Sequence, residues 1–149
     1  MTTVVRDYQV TDKAACLSLF DGNVPEFFDA SERDMFSGFL DAPEGDYFVI
    51  EMEGRVCGCG GIVREDRGQA RFTWGMVDNS LHGAGLGRLL AEYRLQVIEA
   101  AGDYSEAELF TTHRVAPFFA KFGFETRGVE KDGFAPGMDK VQMIRPVTS

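Results

Sequence analysis

The sequence lacks any uninterrupted apolar run near the roughly 18 residues that a membrane-crossing helix needs. Its opening residues, Met1-Thr-Thr-Val-Val-Arg-Asp, lack the basic flank and long apolar stretch of a signal peptide, so neither leader nor membrane partner is expected. Cysteine is scarce. Cys16, Cys57 and Cys59 make an odd count without a CxxC pair or a second Cys/His pair, which argues against a zinc site or a disulfide framework and fits a reducing cytoplasm. Positive charge is also short: 15 Lys and Arg face 24 Asp and Glu, a net of −9, so the basic footprint of a nucleic-acid binder is missing. Repeats, linkers and low-complexity runs are absent, and residues 1–149 read as one domain. A chain of this length buries about 68–70% of its unfolded surface and needs no disulfide or metal staple.

What charge there is sits unevenly. Residues 1–52 hold eleven acids against three bases, whereas residues 53–149 hold thirteen acids against twelve bases. The pattern of apolar residues predicts a strand over Val4–Val10, then a helix capped by Thr11-Asp12 and a second helix over Ser31–Leu40. Asp46–Met52 and Arg55–Arg64 read as a hairpin around Glu53-Gly54. Gln69–Asp78 reads as a strand with Phe72, Trp74 and Met76 on one face, and Cys57 and Cys59 are expected to share a face of the preceding strand as core packing. A long amphipathic helix follows, with Leu86, Leu89, Leu90, Tyr93, Val97 and Ala101 as its buried face. Glu106–Thr111, Val115–Phe122, Glu125–Val129, a loop from Asp132-Gly133 and Lys140–Arg145 complete the order β-α-α-β-β-β-α-β-α-β-β, a mixed α+β fold with one strand–helix–strand crossover at its centre.

The most informative segment runs from Trp74 to Leu90, a strand feeding the glycine-rich turn His82-Gly83-Ala84-Gly85-Leu86-Gly87 that opens into the long helix. Glycines let backbone N–H groups crowd an anion, and a helix N-terminus adds partial positive charge, so the turn is suited to a pyrophosphate. An isolated glycine cluster also reads as a plain flexible turn. A Walker loop is excluded because no lysine follows the glycines, and a dinucleotide fingerprint fails because Arg88 or Leu90 stands where its third glycine belongs.

This segment resembles the [R/Q]-x-x-G-x-[G/A] signature of the GNAT superfamily of acyl-CoA-dependent N-acyltransferases, with His82 in place of the usual Arg or Gln. A second element, Phe119-Ala120-Lys121-Phe122-Gly123-Phe124, is similar to that family's aromatic–x–Lys–x–Gly–Phe motif. The resemblance implies a sheet of about six to seven strands flanked by about four helices, built on a central β-α-β acyl-CoA-binding unit. It implies acetyl-CoA as co-substrate, held by Met76, Val77, His82, Gly83, Ala84, Gly85, Leu86, Gly87, Arg88, Thr112 and Phe119. It also implies a backbone N–H near Val77 facing the developing oxyanion. The acceptor would be the primary amine of a small molecule, attacking directly in a ternary complex.

Two departures bear on mechanism. Phe119 stands where many members carry a proton-donating Tyr, and Arg71 falls where some carry a strand carboxylate. Phe119 is therefore expected to be structural and Lys121 solvent-facing. His113, past the strand Leu109–Thr112, is the candidate catalytic group, although such a residue equally reads as an exposed cap. Thr112 is either a cofactor contact or a helix cap. The stretch Glu26-Phe27-Phe28-Asp29, with Glu32 beyond it, combines aromatics with carboxylates and suggests a cationic acceptor. The plain reading of these residues is core aromatics and solvated acids. An acyl-CoA-binding sensor without turnover and a protein N-acetyltransferase remain as alternatives, and a homodimer is left open.

Overall fold

The computed structural model describes residues 2–147, so Met1 and residues 148–149 of the expected 1–149 domain lie outside the described residues. Seven strands and four α-helices follow the expected order: β1 (Thr3–Asp7), α1 (Lys13–Gly22), α2 (Arg33–Asp41), β2 (Asp46–Met52), β3 (Arg55–Arg64), β4 (Gln69–Val77), α3 (Leu86–Ala101), β5 (Glu106–Thr112), α4 (Ala116–Ala120), β6 (Glu125–Ala135) and β7 (Met138–Pro146). The strands form one sheet in the order β1-β2-β3-β4-β5-β7-β6. Helices α1 and α2 cover one face around Cys16, Phe20, Phe36, Leu40 and Val49; α3 and α4 cover the other around Phe48, Ile62, Leu95, Ile98 and Leu109. Burying these two apolar layers is the main favourable term in folding. No helix among the described residues is long and apolar enough to cross a membrane.

Several boundaries differ from expectation for identifiable reasons. β1 stops at Asp7, because Val10–Asp12 turns into a 3₁₀ helix. Asp12 stands at the start of α1, but its carboxylate points backward instead of capping the helix. It accepts from both terminal nitrogens of Arg6, each at 2.9 Å, and from the Gln9 amide at 2.9 Å. β6 runs through Asp132-Gly133 to Ala135, with the irregularity absorbed by a register shift and by Asp132 at φ +55°. The turn falls at Pro136-Gly137, where Gly137 takes φ +77°.

Two bulges overturn the expected side-chain faces. The β3–β4 pairing jumps from Cys59↔Met76 to Gly61↔Thr73, and Trp74 takes φ +36°. This extra residue puts Phe72 in the α3-side core, whereas Trp74 and Met76 lie on the α1/α2 side. A second register shift at Ile50/Glu51 separates the cysteines: Cys57 packs with Ile50, Leu86 and Leu90, and Cys59 packs with Cys16 and Val49. All three thiols are buried, as core packing requires. On α3 the buried stripe is Leu86, Leu90, Ala91, Arg94, Leu95 and Ile98, so Leu89, Tyr93 and Val97 flank it and Ala101 is exposed. The buried face is rotated from the expected one and carries a cation, Arg94, at its centre.

Candidate active site

The parallel pairing of β4 with β5 is confined to Gln69–Arg71 against Glu106–Glu108. Beyond that point β4 keeps only β3, β5 keeps only β7, and the two strands part. The gap opens into a cavity of about 930 Å³ that runs from the glycine turn to α2 and the β6–β7 hairpin. At its β4 wall the Asp78 amide donates to the Cys57 carbonyl on β3 at 2.8 Å. Strand alternation therefore directs the peptide groups of Val77 the other way, into the gap. Asn23, at the end of α1, is buried there and donates through Nδ2 to the Leu19 carbonyl at 2.8 Å and the Val77 carbonyl at 2.9 Å. It ties α1 to the site.

At one end of the cavity the glycine turn meets the N-terminus of α3. Gly83 and Gly85 hold φ +91° and +85°, a region costly for residues with a Cβ, and nothing lies within 4 Å of where either Cβ would project. The Leu89 amide donates to Gly85 at 3.0 Å, closing the first helical turn. The amides of Leu86, Gly87 and Arg88 precede it and have no intrahelical acceptor. Gly87 serves a different purpose, because a Cβ there would stand 3.3 Å from the Phe118 ring of α4. Arg88, whose Nε pairs with Glu92, and Arg114 add two cations, and Thr112 contributes a buried hydroxyl with no hydrogen-bond partner among the described residues.

This end fits an acyl-CoA. It offers unpaired helix amides and two guanidinium groups for the pyrophosphate, an open approach over two glycines, and an orphaned hydroxyl along the gap.

The opposite end is aromatic. Phe28, Trp74, Phe110 and Phe134 line it, with Met35, Glu32 and Lys140. Lys140 Nζ stands 4.9 Å from the Phe110 ring centroid and 5.6 Å from that of Phe134. Glu32 accepts from the Asp29 amide at 3.0 Å, and burial pushes its carboxyl above the ordinary glutamate range despite that bond and the nearby Lys140 charge.

The structure brings together Met76, Val77, His82, Gly83, Gly85, Leu86, Gly87, Arg88, Thr112 and Phe119 around this cavity, together with Phe27 and Phe28. Four expected site residues fall outside its lining. Ala84 turns its amide to the Leu81 carbonyl at 3.1 Å. His113 sits exposed in the turn after β5. Glu26 is exposed, and Asp29 is occupied in capping a 3₁₀ turn, accepting from the Ser31 amide at 3.0 Å. The acidic front of the chain thus contributes one lining carboxylate, Glu32, rather than a carboxylate cluster. Phe119 lines the cavity and also packs edge-on against Phe72, Phe118 and Phe124, while Lys121 is exposed. Asn23, Arg94, Arg114, Phe110, Phe134 and Lys140 had no motif to mark them, since they converge only through the topology. Among the described residues no group of three His, Cys, Asp or Glu side chains could hold a metal ion.

The profile of the acetyltransferase (GNAT) domain matches residues 43–126. No curated protein sequence matches at a significant level. Among solved structures, the ribosomal-protein-S18-alanine N-acetyltransferase from Escherichia coli is 15% identical, with 99% of this chain covering 96% of that one at a TM-score of 0.83. An aminoglycoside 6′-N-acetyltransferase complexed with coenzyme A is 13% identical, with 98% of each chain covered at a TM-score of 0.79. The protein yncA from Salmonella typhimurium, solved with its cofactor acetyl-CoA, is 16% identical, covering 100% of this chain and 96% of that one at a TM-score of 0.78. At such identities the likeness is one of fold; the profile match, over more than half of the sequence, carries the assignment. The chain belongs to the GNAT acetyltransferase family.

Proposed function

We propose that the chain works as one cytoplasmic N-acetyltransferase domain, moving an acetyl group from acetyl-CoA to the primary amine of a small cationic acceptor in a ternary complex. The observation that carries this reading is the continuity of one cavity through the β4–β5 gap, with an anion cradle at one end and an aromatic, carboxylate-bearing pocket at the other. The amides of Leu86, Gly87 and Arg88, with Arg88 and Arg114, would hold the pyrophosphate. Thr112 Oγ1 and the Val77 peptide edge would hold the pantetheine arm. Bound there, acetyl-CoA would supply an activated thioester carbonyl.

The chain's own contribution is placement and charge. The Val77 N–H would polarise the carbonyl oxygen, a contact that strengthens as negative charge develops there. Asn23, by holding the Val77 carbonyl, fixes the direction of that strand edge. Glu32 would meet the acceptor's cationic group, with Phe28, Trp74, Phe110 and Phe134 supplying ring faces. Holding amine and thioester together is worth about 7–11 kcal/mol at best, so an enzyme without a tyrosine proton donor remains effective.

The test is thiol release from acetyl-CoA across cationic, neutral and anionic amines at low and high salt. The expected result is preference for cationic amines, weakening as salt rises. Preference for anionic amines would overturn the acceptor assignment. Acetyl-CoA binding without amine-dependent thiol release would make the chain a sensor.

A further inference from the structure

Among the described residues Arg94 is a cation without a counter-ion. It projects from the middle of α3 and is 3% exposed. Its guanidinium carbon lies 3.9 Å from the Phe72 ring centroid, and the group sits close to two glycines. A Cβ on Gly60 would stand 3.2 Å from Nη1, and one on Gly75 would stand 3.0 Å from Nη2. Neither glycine has a positive φ, so what they provide is room. Among the described residues Nη1 reaches only the Gly61 carbonyl, at 3.5 Å, and the buried Nε has no partner. The ionisable groups that bear on it are Tyr47 and Cys59; burial holds the Tyr47 phenol well above its ordinary value, so it stays neutral. Burial pulls the guanidinium down to about 10, still charged at neutral pH. A desolvated, unpaired cation costs several kcal/mol and calls for an anion. The side chain lines the cavity beside Gly75, two residues from Val77 on the wall of the gap.

We propose that Arg94 supplies the positive charge that receives the departing thiolate of CoA, in place of a proton donor. This rests on the acetyl-CoA reading above. In the transfer the amine nitrogen forms a bond to the acetyl carbon and the carbon–sulfur bond breaks with its electron pair left on sulfur. The surplus amine proton passes to water. Phe119, the aromatic at the position of the family's usual tyrosine, has no proton to give the sulfur, and the Arg94 guanidinium offsets the sulfur's charge until water protonates it.

The experiment measures the thiol pKa of bound CoA from its thiolate absorbance, with dethio-CoA as the baseline, in the parent, Arg94→Lys and Arg94→Met. The expected result is a thiol pKa lowered by about 1–3 units in the parent. Arg94→Lys should largely keep that shift and Arg94→Met should abolish it. Arg94→Met should also lower kcat about 10²–10³-fold, the scale of losing one charge-stabilising contact. Its affinity for dethio-CoA and its melting temperature should hold or rise, because a buried unpaired charge has gone. A parent-like thiol pKa in Arg94→Met would overturn the proposal. So would equal losses of stability and of affinity for CoA and dethio-CoA, which would make Arg94 a strut. A preference for succinyl-CoA over acetyl-CoA that Arg94→Met erases would assign the cation to an acyl carboxylate instead. If the parent binds neither CoA nor dethio-CoA, the acetyl-CoA reading falls first and this proposal with it.

Discussion

Replacing Gly85 separates two demands that the cradle makes on one residue. Its φ of +85° is left-handed backbone, and the space beyond its absent Cβ is the open mouth of the cavity. Forcing an ordinary residue into that conformation costs roughly 1–2 kcal/mol. For a chain of this size each kcal/mol moves Tm by about 2–4 °C, so Gly85→Ala should lower Tm by about 2–8 °C. Asn tolerates left-handed backbone, and Gly85→Asn should melt closer to the parent. Both variants place carbon where a phosphate must approach the amides of Leu86–Arg88. Losing one charge-assisted hydrogen bond there, about 1.5–3 kcal/mol, weakens binding about 10–100-fold. Gly85→Val, β-branched, should combine the largest strain with the greatest obstruction. Calorimetric titration with acetyl-CoA, alongside thermal melts, reads the two effects independently. If folded Gly85→Asn and Gly85→Val bind acetyl-CoA as tightly as the parent, the turn is not the pyrophosphate site.

Other perturbations have distinct signatures. Phe119→Tyr should leave kcat within a few-fold or raise it, and a loss beyond roughly tenfold in a folded variant would show that the phenyl ring shapes the site. Glu32→Gln should raise KM for cationic amines about tenfold or more, whereas Glu26→Gln and Asp29→Asn, outside the cavity lining, should change it little. Because burial raises the Glu32 carboxyl, the native state holds its proton more tightly than the unfolded chain. Stability therefore falls as pH climbs from the ordinary glutamate value toward the raised one, and Glu32→Gln should remove that slope in pH-dependent denaturation. Asp12 has the opposite sign: the Arg6 hydrogen bonds hold its carboxyl low, so its contribution is present above the ordinary aspartate value and disappears as pH falls through the lowered one. Asp12→Asn should cost about 1–3 kcal/mol at neutral pH and much less in strong acid.

The element order, the Glu53-Gly54 hairpin and the glycine turn were legible because each is written in local pattern: apolar period, turn residues and helix start. The faces of β3 and β4 were not. Alternation assumes an unbroken strand, and although the glycines at 58, 60, 61 and 75 are compatible with bulges, they do not say which residue slips the register. That slip is what sends Trp74 toward α2 and leaves Phe72 under Arg94. Nothing in the local pattern singles out Arg94, because the glycines it lies beside, Gly60 and Gly75, come from two other strands and signal only by lacking side chains. The acceptor side was legible only in part, with Phe27 and Phe28 in the lining and Glu26 and Asp29 outside it. Counting acids along residues 1–52 says how much charge there is but not where it points, and of Glu26, Asp29 and Glu32 only the last turns inward. Lys140, Phe110 and Phe134 reach the same pocket from β7, β5 and β6, at sequence separations that no motif spans.

The central claim, that the β4–β5 gap is an acyl-CoA site joined to an amine pocket, is tested most directly by a crystal structure of the protein with acetyl-CoA. The account predicts the pyrophosphate on the amides of Leu86–Arg88, the pantetheine arm between β4 and Thr112, and the thioester carbonyl at the Val77 N–H with the acetyl group facing Glu32. Acetyl-CoA seated anywhere else, or a gap that stays empty at saturating acetyl-CoA, would contradict it.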